Sequence, residues 1–275
     1  MQKIQHKAKT QKIEHAAEVC KTSQLTKFIW QLIFSNLRPA DLVRVSLTCK
    51  NWNQIITGNP HLREMRKVFV YVFGREKWGK YFGDVGEEPP LPQDIEKILS
   101  SSCPFWPSKK VSETHLLVLI PETVNGKSHT INSLGEIIKN PKTGHSSQYR
   151  IYNPYVKNEQ GEKSFPSHWV LLTKNVIPNS RNKSYSEQKE LMEDFPPYTF
   201  PNALDIATAL LMHHVKRGER LCSNDPLIYT RCIEIVDSDQ WPVAIGGFSV
   251  GGIEVSNYHN AHGFNDVVGC RKFFL

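Results

Sequence analysis

Residues 121–128 read Pro121-Glu122-Thr123-Val124-Asn125-Gly126-Lys127-Ser128 and offer the most suggestive chemistry in the chain. They follow an apolar run and end in Gly-Lys-Ser, as a phosphate-cradling loop does. Downstream, Ile233-Glu234-Ile235-Val236-Asp237 has the look of a strand that positions magnesium. Two features oppose a nucleotide site. Pro121 stands where the first glycine of the loop belongs, which fixes φ and removes an N–H. The next helix begins only near Asn132. Asn125-Gly126 between strand-like residues is instead a two-residue hairpin signal, and the hairpin is the expectation.

Metal chemistry has six candidate ligands: His213, His214, Cys222, Cys232, His259 and His262. Adjacent residues on a helix point about 100° apart, so His213 and His214 do not share one ion easily. The tight paired spacing usual for zinc is absent from the set. Exposed or core histidines are the simpler reading, and no metal or other cofactor is assigned. For thiol chemistry, Cys103 and Cys222 have histidines elsewhere, but spacing alone brings none beside them. Arg181 and Lys183 in the polar run 180–185 are candidates to hold an anion or an acidic target. The commoner meaning of such a run is a solvated loop. Gly246-Gly247 and Gly251-Gly252 predict a bulge or tight turn between strands.

The elements that must carry these residues fall into two parts. The chain has 275 residues, enough for one or two domains. With 39% hydrophobic and 22% charged residues it reads as an ordinary globular protein, neither disordered nor fibrous. The net charge is +7, part of it in a basic segment over residues 1–22 that is expected to be a flexible tail. That segment has no long apolar run, so neither a Sec-type signal peptide nor a membrane span is expected. Six cysteines without a C-x-x-C pair suit reduced thiols and a cytoplasmic setting.

Behind residue 90 an α+β domain is predicted, with a largely antiparallel sheet. Residues 115–120 and 168–173 are apolar runs of strand length. Helices are predicted at 93–102, 132–139 (capped by Asn132 or Ser133), 186–194 and 202–217, the last closed by Gly218. Strands follow at 228–236, 242–248, 252–256 and 267–274. Helices in the middle and strands at both ends argue against a doubly wound sheet. Residues 65–90 read as a linking helix, an aromatic-rich loop and a Pro-rich linker at 84–92, with the domain boundary near Glu88.

The N-terminal part is organised around residues 25–62. Leu25, Phe28, Ile29, Leu32, Ile33 and Leu37 recur at helical spacing, with Trp30 and Phe34 off the stripe. Asn36-Leu37-Arg38-Pro39 breaks that helix. Leu42, Val45, Ser46 and Cys49 form a second stripe, and Trp52, Ile55 and Ile56 a third. Three short helices are predicted. Trp30 and Phe34 look surplus to so small a core, which suggests a partner surface. A hairpin packed on the chain's own later half is the plain alternative. A helix-turn-helix DNA reader is disfavoured, because Lys50 is a thin electrostatic footprint.

This stretch resembles the F-box. The resemblance rests on Leu25, Ile29, Ile33-Phe34, Leu37, Pro39, Asp41-Leu42, Val45-Ser46-Leu47, Cys49, Trp52, Ile55-Ile56, Pro60 and Leu62. Thr26, Phe28 and Arg63 stand where proline, glutamate and tryptophan are usual. The resemblance implies a domain at residues 23–64 that docks on the Skp-type adaptor of a cullin ubiquitin ligase. Leu25, Ile29, Trp30, Ile33, Phe34, Leu37, Pro39, Leu42, Cys49 and Trp52 are then the adaptor-binding set. Residues 91–275 would present an as yet unidentified protein target, with no catalytic residue needed in the chain.

The later region also resembles a segment in proteins of amoeba-associated chlamydiae. The matching residues are 103–107, 115–121 with Asn125-Gly126-Lys127, 180–185, 218–221, 229–232, Gly246-Gly247-Phe248 and Arg271-Lys272-Phe273. Together the two resemblances imply a bacterial effector acting on the host ubiquitin system in the host cytosol. The rival reading is a nucleotide- or metal-dependent enzyme in residues 91–275, with the helical N-terminus as an interaction module.

Overall fold

The structure is a computed structural model and describes residues 33–35, 37, 45, 50–59, 72–92, 94–236, 241–258 and 265–273. The chain divides into two compact units, Met1–Tyr71 and Val72–Leu275. In the first unit the described helix is α1 (Lys50–Gly58), the third of the three expected.

The second unit is mixed α+β, as its sequence pattern predicts. Its strands are β1 (Val72–Phe73), β2 (His115–Ile120), β3 (Thr123–Val124), β4 (Lys127–Ser128), β5 (Tyr149–Ile151), β6 (His168–Thr173), β7 (Tyr229–Val236), β8 (Trp241–Ser249), β9 (Gly252–Asn257), β10 (Asn265–Asp266) and β11 (Cys270–Phe273). Its helices are α2 (Arg75–Tyr81), α3 (Ile95–Ser100), α4 (Val111–Thr114), α5 (Ile131–Ile137), α6 (Pro154–Gln160), α7 (Tyr185–Glu193) and α8 (Ala203–Arg217). One sheet runs β1-β2-β6-β11 and a second β10-β7-β8-β9-β5. The pairs β2–β6, β6–β11, β7–β8 and β8–β9 are antiparallel, and short parallel pairs sit at the edges.

β2 and β6 are continuous apolar runs because both of their faces are covered. All six residues of β6 are buried, and β2 pairs with it in register from His115↔Thr173 to Ile120↔His168. One face is covered by α8, which packs on β2 and β6 of the first sheet and on β7 and β8 of the second. It is buried almost all round, as a helix between two sheets must be. Each of Leu204, Ile206, Leu210 and Leu211 is sealed, worth about 1.5–3 kcal/mol of transfer free energy apiece. Gly218 stops the helix in the left-handed region at φ 76, with its N–H donating to the His214 carbonyl.

The start of α8 is capped from outside its own segment. The Asn202 side chain makes no cap bond to the helix. The Glu234 carboxylate on β7 instead accepts from the Ala203 N–H at 2.9 Å and from Asn202 Nδ2 at 2.7 Å. A negative group at a helix N-terminus is favoured by the dipole and by the orphan amides there.

The boundary expected near Glu88 lies instead between Tyr71 and Val72. Residues 72–90, read as a linking helix and linker, belong largely to the second unit. Val72 pairs with Leu117, and Trp78 is fully buried with its Nε1 donating to the Leu119 carbonyl at 2.9 Å. The Pro-rich stretch is irregular yet packed. Val85 is buried, Trp169 Nε1 donates to the Pro89 carbonyl at 2.9 Å, and the Glu88 carboxylate accepts from the Arg75 N–H. Prolines exclude regular structure but leave their carbonyls free to accept. The segment at 65–71, also assigned to the linking helix, lies outside the described residues.

Candidate docking site and the polar clusters of the second unit

Among the described residues of the first unit, three large side chains form its interior. Phe34, Trp52 and Ile56 are each at most 1% exposed, with Val45 beside them in burial. The Phe34 and Trp52 rings meet edge to face with centroids 6.0 Å apart. Residues 33–35 are helical, and the Leu37 N–H donates back to the Phe34 carbonyl. Ile33, next to Phe34, is 41% exposed.

At these two described positions burial runs opposite to the sequence reading. Ile33 lies on the predicted inner stripe yet points outward, and Phe34, expected outward, is core. A helix that is apolar on both sides does not fix which side is inside. Ile33 is the described member of the adaptor-binding set with a large outward surface. Phe34 and Trp52 hold the scaffold under it, and Leu37 is half-buried. Leu25, Ile29, Trp30, Pro39, Leu42 and Cys49 lie outside the described residues.

In the second unit, residues 121–128 form the hairpin. Val124 pairs with Lys127, and both turn residues have positive φ, 51° at Asn125 and 77° at Gly126. That is the two-residue turn Asn-Gly favours. The tip is tied down rather than open to a ligand: the Asn125 N–H donates to the Asp84 carbonyl at 2.7 Å, and its Oδ1 accepts from the Asp84 N–H at 3.1 Å. Glu234, the would-be magnesium carboxylate, is the cap of α8. Its pKa is raised, chiefly by burial. Asp237 lies outside the described residues.

The candidate metal ligands do not converge. His213 pairs with Glu219 at 2.9 Å, while His214 Nε2 lies 3.2 Å from the Ser146 carbonyl. Cys222 and Cys232 are buried, His259 and His262 lie outside the described residues, and no metal-holding cluster occurs among the described residues. Burial pushes the Cys222 thiol up to about 12 and raises Cys232, which leaves both protonated at neutral pH.

Arg181 and Lys183 serve the fold. Arg181 donates to Asp266 Oδ2 at 2.8 Å and to the Leu227 carbonyl at 2.9 Å, across 85 and 46 residues of chain. Asp266 is fully buried, and burial raises its pKa to about 6 against the pull of Arg181. The Lys183 carbonyl accepts from the buried Arg231, whose guanidinium also donates to Gln188 Oε1 at 2.9 Å. The 180–185 run is thus pinned from beneath, and Arg181, its side chain 39% exposed, reaches in to a buried acid.

Two clusters escaped the sequence reading. His168 Nε2 lies 3.2 Å from Asp205 Oδ1, and His129 Nε2 lies 2.9 Å from Thr208 Oγ1. All four residues are at most 3% exposed. Desolvation holds His129 down at about 3, so its imidazole is neutral inside the fold. An acid inside the apolar stripe of α8 was the available signal. The second cluster explains Gly247 of β8. Tyr229 donates to the Glu254 carboxylate, which also accepts from Tyr152 at 3.3 Å, and Arg150 donates to the Tyr152 hydroxyl at 3.1 Å. Gly247 has φ 53, and a Cβ there would sit 2.5 Å from Tyr229 Oη. The expected bulge occurs, as a register shift between Gly246 and Ser249.

Compared with known families, residues 29–64 match the F-box-like family, so the first unit contains an F-box-like domain. The match covers a small part of the chain and says nothing of the second unit. No curated protein and no solved structure matches the chain, so the resemblance to chlamydial proteins gains no support from relatives. An F-box-like domain is an adaptor-docking module by class, which makes protein–protein interaction the general role of the first unit. Among the described residues no helix is long and apolar enough to cross a membrane.

Proposed function

We propose that the chain is a substrate-recruiting subunit that docks on the Skp-type adaptor of a cullin ubiquitin ligase through residues 29–64 and presents a protein target with its second unit. The observation that carries the reading is the F-box-like match over that stretch. The exposed Ile33 beside a buried Phe34–Trp52 pair supports it, because an outward apolar side chain on a firm base is how a small helical unit grips a groove. The mechanism is proximity. Tethering holds target lysines at an effective concentration of about millimolar near the ubiquitin carrier. In the fuller form of the proposal the chain is a bacterial effector in the host cytosol, which rests on the resemblance of residues 90–275 alone. For the rival enzyme reading, the phosphate-loop candidate is a tied hairpin among the described residues.

The test is capture of a purified Skp-type adaptor by the full chain. The wild type is expected to bind. Joint replacement of Leu25, Ile33 and Pro39 by alanine is expected to abolish binding while the second unit keeps its thermal transition. Adaptor binding unchanged in that variant would overturn the proposal.

A further inference from the structure

β3 and β4 form a sheet of their own with two residue pairs, Thr123↔Ser128 and Val124↔Lys127. A ladder that short does not hold itself. Its base is closed by the His129 N–H, which donates to the Glu122 carbonyl at 2.8 Å. Its turn is held from outside, by three bonds between Asn125 and the segment 82–84. The Asn125 N–H donates to the Asp84 carbonyl at 2.7 Å, Oδ1 accepts from the Asp84 N–H at 3.1 Å, and Nδ2 donates to the Phe82 carbonyl at 3.3 Å. A Cβ on Gly83 would sit 1.9 Å from Asn125 Oδ1. The amide of Asn125 thus fills the space that a glycine leaves.

An asparagine followed by glycine carries its own reaction, because glycine leaves the next backbone nitrogen unshielded. That nitrogen gives up its proton to water or hydroxide and attacks the asparagine Cγ. The Cγ–Nδ2 bond breaks, ammonia leaves, and a five-membered succinimide closes. Water then opens the ring at one carbonyl or the other, giving aspartate or isoaspartate, with nothing oxidised or reduced. In this turn the attacking group is open and the attacked group is held. Gly126 is exposed, with no atom within 4 Å of where a Cβ would stand. Asn125 can offer its Cγ only after its amide turns away from Phe82 and Asp84, which breaks two side-chain hydrogen bonds.

We propose that Asn125 is a modification site, a deamidation centre that the 82–84 segment holds closed and whose conversion unties that segment. The inference is independent of the recruiter reading. Aspartate at this position has no N–H for the Phe82 carbonyl and sets a carboxylate oxygen against it. Isoaspartate routes the backbone through the former side chain, adds a methylene between the two turn residues and abolishes the two-residue turn. Either product loosens the start of the packed 84–92 stretch. The next anchors of that stretch are Glu88 on the Arg75 N–H and the Pro89 carbonyl on Trp169.

The experiment ages the full chain in mildly alkaline buffer and follows Asn125 by digestion and mass spectrometry, with aspartate and isoaspartate separated by chromatography. A synthetic peptide of residues 121–130 supplies the unprotected rate. The folded chain is expected to convert more slowly than the peptide by roughly tenfold or more, the factor set by breaking two side-chain hydrogen bonds. Gly83→Ala drives a methyl group into the Asn125 amide and is expected to restore most of the peptide's rate. Asp84→Pro removes the N–H that holds Oδ1 and is expected to act in the same direction, which keeps the test open should the first variant disturb folding. Asn125→Asp is expected to speed hydrogen exchange at residues 82–88 while β6 stays protected. A folded chain that converts as fast as the peptide, a wild-type rate in both variants, or unaltered exchange at 82–88 in Asn125→Asp would each overturn the proposal.

Discussion

Replacing His129 by glutamine should flatten the acid sensitivity of the second unit by an amount that can be worked out beforehand. His129 is fully buried against Trp78, ring centroids 5.4 Å apart, with Nε2 on Thr208 and Nδ1 without a partner. Desolvation lowers its pKa from 6.5 to about 3, a pull that Asp205 opposes only in part. A histidine held neutral in the fold binds its proton more readily once unfolded. Its contribution to stability is therefore complete above the unfolded value of 6.5 and is lost as pH falls from there toward about 3. Between pH 7 and pH 5 that loss is about 2 kcal/mol. Other groups titrate in the same window. His115, lowered to about 4 by burial, adds a similar loss, while Asp266, raised to about 6, acts in the opposite sense. The variant isolates one of them. Glutamine does not titrate, so urea unfolding of wild type and His129→Gln should differ by about 2 kcal/mol less at pH 5 than at pH 7. A gap that stays the same at both pH values would refute the assignment of His129 as a buried neutral imidazole.

Four further outcomes are expected. Phe34→Ala should destabilise the first unit by about 3–5 kcal/mol and leave the thermal transition of the second unit in place, as calorimetry would show. Ile33→Glu should lower adaptor affinity without lowering the thermal midpoint of the first unit, because the side chain is 41% exposed. Arg181→Ala should cost about 2–3 kcal/mol in denaturant unfolding by leaving the buried Asp266 carboxyl without its cation, and an amide at position 266 in the same background should restore part of that loss. Gly247→Ala should cost about 1 kcal/mol or more through φ 53 alone. Its steric share should shrink when Tyr229→Phe is added, which a double-mutant cycle measures.

Much of the fold is legible where the signal is local. β2 and β6 match their apolar runs residue for residue, the Asn125-Gly126 turn follows from its dipeptide, and α8 with its Gly218 stop is within one residue of expectation. The end caps show the limit of that reading. α5 is capped by Thr130, two residues before Asn132, the nearer of the two expected caps, and α6 is absent from the sequence expectation although Asn153-Pro154 is a cap followed by proline at N1. What the sequence hides is distance. The His168–Asp205 contact spans 37 residues and Arg181–Asp266 spans 85, so no spacing rule relates them. Packing of the 84–92 stretch was equally hidden, because its anchors are the indole of Trp169 and the amide of Arg75. In the docking unit the two described positions, Ile33 and Phe34, show the reverse of the expected burial. With apolar residues on both flanks, the periodicity defines a helix and leaves the choice between Ile33 and Phe34 to tertiary packing.

The position of α8 between two sheets has a consequence for how the second unit yields. A helix that both layers lean on leaves neither able to come apart alone. Its amides should exchange with solvent only through global opening, while the short strands at the sheet margins, β1 and β10, let go first. Because the same rod carries Asp205 and Thr208, the partners of His168 and His129, a proton taken up by His129 is felt by both layers together.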